Sequence, residues 1–242
     1  MAGRKEAEKI VRQAGKMKEM LGSVYSYNSG FLLDEEQEKL LERMLFAMTI
    51  IDRKFFYSGD EVYWDNALPI EEGQTISQPS TVARMLLLAE LNEGDDVLEI
   101  GTGSGWNASL IAFLVYPGNI VSIERFFRLK EKSEKNLASL KSYLRQKKPQ
   151  DSVKLGKLNF YAENIFEKGK AWKKRYDKII ITAGIENGEE EKIEMLAENL
   201  LKNKGILVCP YTSGPLIVYK KNGKLKKFFT KEEYVFVPLL DS

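Results

Sequence analysis

The sequence contains no histidine. That absence removes the usual general base near neutral pH, the commonest zinc ligand and every Ser-His or Cys-His nucleophile pair, so any chemistry here runs without imidazole and no metal site is expected. There is one cysteine, Cys209, inside the apolar run GILVCPY. It forms no internal disulfide and is expected to pack as a small apolar side chain in a buried strand. No apolar run approaches the roughly 18 residues of a membrane span. The opening MAGRKEAEKIVRQAGKMKEML is too charged for a secretory signal. A cytoplasmic protein without a membrane partner is expected. Net charge is small, +2 from 37 Lys/Arg and 35 Asp/Glu, but it is uneven. Lys141 to Arg175 holds eleven basic residues against three acidic ones. These are not interleaved with stacking aromatics as in single-strand binders, so the tract reads as solvated surface and no nucleic-acid partner is expected.

What the chain does have is enough apolar material for a full core, 43% of 242 residues. Ala7 to Leu21 places Ile10, Val11, Ala14, Met17 and Leu21 at helical spacing, and Glu35 to Met48 resumes that period after a turn-rich Tyr25 to Gly30. Residues 1–50 therefore read as a helical extension and 51–242 as the main domain. From Thr81 onward helices alternate with short apolar strands at Asp96–Ile100, Ile120–Ile123, Leu158–Tyr161 and Lys178–Thr182. A helix over Glu189–Leu201 precedes strands at Gly205–Pro210, Pro215–Lys220 and Tyr234–Leu239. Alternation of this kind predicts an α/β fold, a mostly parallel sheet covered on both faces, with the last strands antiparallel at one edge.

VLEIGTGSGW, Val97 to Trp106, puts a glycine-rich turn at the carboxyl end of the first core strand, where open α/β sheets bind their ligands. Trp106 stands where a dinucleotide fingerprint requires its third glycine, which sits instead at Gly105, and no Gly-Lys-Ser/Thr follows to cradle a triphosphate. A bend of small residues, Gly101, Gly103, Ser104 and Gly105, preceded by Glu99, suits a ligand with an amino-acid end and a nucleoside end, as in S-adenosylmethionine. Glu124 closes the second strand, VSIE, where a carboxylate can accept from both ribose hydroxyls. Glu163-Asn164 follows the third strand, in position to read an adenine edge. Asp177 introduces the next strand and reads either as a site residue or as a loop terminator.

The runs YWDNALPIEEGQTISQPSTVARM, GDDVLEIGTGSGWNASLIA, VSIER, RYDKIIITAGI and FVPLL, in that order, resemble the protein-L-isoaspartate O-methyltransferase family over roughly Arg43 to Leu240. The resemblance implies a Rossmann-like class I S-adenosylmethionine-dependent methyltransferase with a seven-stranded sheet. It also implies methylation of the α-carboxylate of L-isoaspartyl and D-aspartyl residues in damaged proteins and peptides, the ester then closing to a succinimide. Ser77 matches the family's active-site serine and is assigned to orienting the substrate carboxylate, since nothing nearby in sequence can activate it as a nucleophile. Gln74, Thr75 and Ile76 are assigned to the cofactor together with the loop glycines, Ser104, Glu99, Glu124, Glu163 and Asn164. Asp65, Leu68, Pro69 and Val237 are assigned to a groove for the substrate peptide. Ser80 and Val82 stand where many members carry histidine, and Glu163-Asn164 replaces the family's Asp-Gly. The same motifs leave open a relative acting on ordinary aspartate in a modified peptide. The loop and Glu124 alone would also fit an RNA methyltransferase or a non-catalytic adenosyl-binding protein.

Overall fold

The computed structural model describes residues 2–240, with side chains described from residue 13 onward, so Ile10 and Val11 of the first predicted stripe lie outside the described side chains. Two helices lead the chain, α1 (Ala2–Ser29) and α2 (Glu35–Ile50). A short antiparallel pair follows, β1 (Leu68–Pro69) and β2 (Thr75–Ile76), then α3 (Pro79–Leu88). The alternating part is β3 (Val97–Ile100), α4 (Trp106–Val115), β4 (Ile120–Glu124), α5 (Phe127–Lys147), α6 (Pro149–Val153), β5 (Leu158–Ala162) and β6 (Tyr176–Ile181). It ends with α7 (Glu190–Leu200), β7 (Leu201–Pro210), β8 (Ser213–Gly214), β9 (Leu216–Asn222), β10 (Lys224–Phe229) and β11 (Tyr234–Val235).

A 7-stranded sheet in the order β10-β9-β7-β6-β3-β4-β5 forms the centre. Strands β5, β4, β3, β6 and β7 run parallel, and β9 and β10 close one edge antiparallel, as the alternation predicts. Successive strand residues face opposite layers. In β6, Ile180 joins the cluster under α2 to α5, whereas Ile179 and Ile181 join the cluster under α7. Cys209 is fully buried in that second layer, as its apolar run predicts. Because the chain leaves β3 toward β4 and β5 and then returns on the other side as β6, the strand order reverses beside β3. The carboxyl ends of β3 and β6 are the place where such sheets open a crevice.

Two expectations need correction. The seventh strand of the sheet is Lys224–Phe229, not Tyr234–Leu239. KLKKFF has no buried residue and reads as polar surface, yet its backbone pairs with β9, and its lysines suit an edge that must not recruit another strand. Tyr234 and Val235 pair instead with β8, and the apolar residues after them cross the crevice. The second correction concerns Tyr25–Gly30, where the expected break is helical through Ser29. Tertiary contacts override the local turn signal: Val24 is buried, and the buried Asn28 amide donates to the Val24 carbonyl at 3.0 Å and to the Ser80 carbonyl of α3 at 3.2 Å.

In α2 the capping pair Asp34 and Gln37 starts a helix that buries Leu40, Leu41, Met44, Ala47 and Met48. Those residues belong to the same apolar cluster as α3, α4 and the sheet. Parts of the basic tract are engaged rather than free, with Lys157 donating to the Pro117 carbonyl and Lys174 paired with Asp96. Among the described residues, no helix is long and apolar enough to cross a membrane. Asn28→Ala leaves the Ser80 carbonyl without its side-chain donor and is expected to cost about 1–3 kcal/mol. Thermal unfolding should show a midpoint lower by roughly 2–10 °C. An unchanged midpoint would mean that the α1–α3 tie carries no stability.

Candidate active site

The crevice at the ends of β3 and β6 is an open cleft whose free space, counted with the solvent it opens to, is about 840 Å³. One wall is the glycine-rich turn after β3. Gly101 has φ +99°, and a Cβ there would collide with the Thr182 hydroxyl at the end of β6. That hydroxyl donates to the Gly101 carbonyl at 2.6 Å and ties the two strand ends together. Gly105, φ +85°, passes so close to α5 that a Cβ would lie 2.9 Å from that of Ser133. At the floor, Glu124 accepts from the Gly103 N–H at 2.8 Å and the Phe126 N–H at 3.0 Å. Its carboxylate is thereby fixed, with lone pairs remaining for hydroxyl donors.

The opposite wall is β2 and its continuation. Thr75 pairs with Pro69 and Ile76 with Leu68, which brings Gln74, Thr75, Ile76 and Ser77 across from the turn. The Ser77 hydroxyl makes no hydrogen bond to any described residue. The C-terminal segment forms the roof: Gly184 N–H donates to the Val237 carbonyl and Leu239 N–H to the Gly184 carbonyl, each at 2.7 Å. Val237 to Leu240 thus cover the cleft. Glu163 and Asn164 line its far end. The Glu163 carboxylate accepts from the N–H groups of Lys170 at 2.8 Å and Ala171 at 3.3 Å, so it also starts the short helical turn over Lys170–Lys173.

A family model described as Protein-L-isoaspartate(D-aspartate) O-methyltransferase (PCMT) matches residues 30–242. The chain belongs to this family. The match includes all of α2, so it begins well before Arg43, where the motif resemblance starts. The protein-L-isoaspartate O-methyltransferase of Pyrococcus abyssi is 39% identical over 184 residues, 73% of this chain and 74% of its own length. That of Pyrococcus horikoshii is 35% identical over 87% of both chains. A Plasmodium falciparum structure of the same methyltransferase class, solved with S-adenosyl-L-homocysteine, has a TM-score of 0.70 over 93% of this chain and 98% of its own, at 21% identity. That likeness establishes the fold.

Within this isoaspartate methyltransferase, most of the residues picked from sequence share the cleft: Gln74, Thr75, Ile76, Ser77, Gly101, Gly103, Ser104, Glu124, Glu163, Asn164 and Val237. The others lie off it. Asp65 accepts from the Ser80 N–H at 2.8 Å and from the Ser80 hydroxyl, so its carboxylate holds the start of α3. Leu68 is core, Pro69 borders a separate shallow groove, and Gly105 lies against α5. Asp177 sits at the far end of the sheet, paired with Lys202. Glu99 is fully buried beneath the turn, accepting from Ser122 and from Asn107 Nδ2 at 2.8 Å. Burial and, in smaller measure, nearby Glu124 raise its carboxyl to about 8 against those two hydrogen bonds.

Sequence reading passed over Asn107, Thr182, Arg125 and Arg53. Asn107 was discoverable, since it stands two residues beyond the glycine turn. Its Oδ1 is buried without a partner at the cleft wall, an acceptor suited to an ammonium group and oriented by the bond its Nδ2 makes to Glu99. A carboxyl raised in the folded state contributes its stability in full below its unfolded value of about 4.3 and loses it as pH rises through about 8. The ligand-free protein should therefore lose melting temperature from about pH 5 to 8, and Glu99→Gln should flatten that slope. Equal slopes for the two proteins would contradict the buried, protonated Glu99.

Proposed function

We propose that this enzyme transfers a methyl group from S-adenosylmethionine to the α-carboxylate of L-isoaspartyl, and of D-aspartyl, residues in damaged proteins and peptides. The ester then closes to the succinimide from which ordinary aspartate is recovered. The observation that carries this reading is the Ser77 hydroxyl, placed across the cleft from the glycine turn and hydrogen-bonded to no base among the described residues. Of the carboxylates upstream in sequence, Asp65 is committed to Ser80, and Glu71 and Glu72 face Lys132 and Arg128. Serine there orients a nucleophile that needs no activation.

The residues fit the cofactor. Glu124 keeps free lone pairs for the ribose hydroxyls, the positive-φ turn leaves backbone room, and Asn107 Oδ1 is an acceptor for the amino-acid end. Glu163 and Asn164 stand at the adenine end, where Glu163's own N–H is already used on the Glu124 carbonyl. Bound there, S-adenosylmethionine supplies an electrophilic methyl group on a sulfonium. A carboxylate is ionised near pH 7 and attacks without losing a proton, which is why a chain with no histidine suffices. The protein's work is alignment and partial exclusion of water. The Ser77 hydroxyl and the backbone beside it hold the carboxylate, and the Val237–Leu240 roof limits solvent. A peptide recognised largely through its main chain would lie along this roof, which suits a repair enzyme's tolerance for varied neighbours. We propose a cytoplasmic setting, in keeping with a single buried cysteine and no disulfide.

Transfer of labelled methyl to two peptides differing only in isoaspartate against aspartate tests this function. Transfer to the isoaspartyl peptide alone is expected, and transfer to the aspartyl peptide would replace it with the peptide-modifying relative. Ser77→Ala removes one hydrogen bond to a charged group, a loss of roughly 10- to 100-fold in turnover, with cofactor affinity unchanged by calorimetry. Unchanged turnover would contradict the role given to Ser77.

A further inference from the structure

Arg53 is 1% exposed and lies directly behind the β2 wall of the cleft. Asp52 caps the short helical turn over Arg53–Phe55 and turns the arginine inward. Its guanidinium donates to five backbone carbonyls, those of Val62 at 2.9 Å, Trp64, Asn66 and Ser77 at 3.0 Å, and Ile76 at 3.4 Å. It also lies over the Trp106 ring, 5.2 Å from the centroid, and Trp106 Nε1 donates to the Ile51 carbonyl at 2.9 Å. One side chain therefore joins the 62–66 loop, the Ile76–Ser77 wall and the first residue of the helix behind the glycine turn.

Two features of this arrangement exceed what a structural staple needs. Among the described residues Arg53 has no carboxylate within ion-pair distance, although a buried charge is ordinarily paired. Its contacts are neutral carbonyls and a ring. Burial lowers its pKa to about 10, against the fields of Asp65 and Tyr57, so it remains a cation at neutral pH. The second feature is direction. In a trans peptide the C=O and N–H point opposite ways. With the Ile76 and Ser77 carbonyls drawn onto Arg53, the N–H groups of Ser77 and Gln78 face away from it, and neither donates to a described residue. An unpaired cation behind, and unused N–H donors in front, make an anion seat beside the Ser77 hydroxyl.

We propose that Arg53 is the positioning residue of the substrate carboxylate: it fixes the Ile76 and Ser77 carbonyls so that the N–H groups of Ser77 and Gln78 face the carboxylate, and its buried charge favours an anion in that place. This rests on the isoaspartyl reading above. It makes Arg53 a determinant of preference for a charged over a neutral side group, although it never touches the substrate.

The test compares two peptides binding to the enzyme saturated with S-adenosylhomocysteine, one with isoaspartate and one in which the same α-carboxylate is a neutral primary amide. The native enzyme should prefer the carboxylate by at least about tenfold, since a charged hydrogen-bonded group is worth that much. Arg53→Gln should cut the preference to less than about threefold while S-adenosylhomocysteine affinity stays within about threefold. Arg53→Lys keeps the charge and gives up the fork. It should retain the preference but lose at least about tenfold in turnover, and it keeps the question decidable should Arg53→Gln not fold. An undiminished preference in Arg53→Gln, or native turnover in Arg53→Lys, would overturn the proposal. Absence of methyl transfer to isoaspartyl peptide by the native enzyme would remove the function reading itself, a result separate from an active native enzyme whose Gln variant behaves normally.

Discussion

The site depends on a buried guanidinium. Everything on the substrate side of the cleft hangs from the carbonyls gathered by Arg53, because β1 and β2 are only two residues long and cannot hold their own position. The same guanidinium lies on Trp106, which follows the glycine turn, so the substrate wall and the cofactor wall share one fixed point. On the cofactor side Glu124 does the corresponding work through the Gly103 and Phe126 N–H groups. Polar side chains used in this way give a cleft of defined width between two short stretches of backbone.

That rigidity matches the chemistry. Attack by a carboxylate calls for no proton transfer, and the chain contains no imidazole, while the Ser77 hydroxyl bonds to no described carboxylate. Two nearby acids have other duties: Asp65 holds Ser80, and the buried Glu99 holds Asn107. Catalysis by position alone also accounts for the investment in a roof. Val237 to Leu240 reach the cleft through backbone bonds to Gly184, and Tyr234, just before them, donates to or accepts from Tyr27 of α1 at 3.1 Å. The first helix, which precedes the family match, thereby bears on the segment that covers the site.

Much of this was legible in the residues. The helical period and the short apolar runs between helices located the parallel core, and the misplaced third glycine at Gly105 separated this turn from dinucleotide loops. Short-range patterns failed where the deciding partner is remote. Tyr25–Ser29 carries turn residues but is helical because Asn28 finds Ser80 of α3. Lys224–Phe229 looks like polar surface because only its backbone belongs to the sheet. Asp65 stands beside the substrate motif in sequence, yet its carboxylate faces α3 rather than the cleft. Arg53 gave no signal at all, since nothing in IIDRKFF tells that its guanidinium enters the interior.

The central claim, that the enzyme works by alignment without a titrating base, is tested most directly by turnover at saturating cofactor and isoaspartyl peptide across about pH 5.5 to 7. A flat profile is predicted, because the attacking carboxylate is already ionised throughout that range. A tenfold rise per pH unit would reveal a group that must lose its proton before reaction, and would contradict the account.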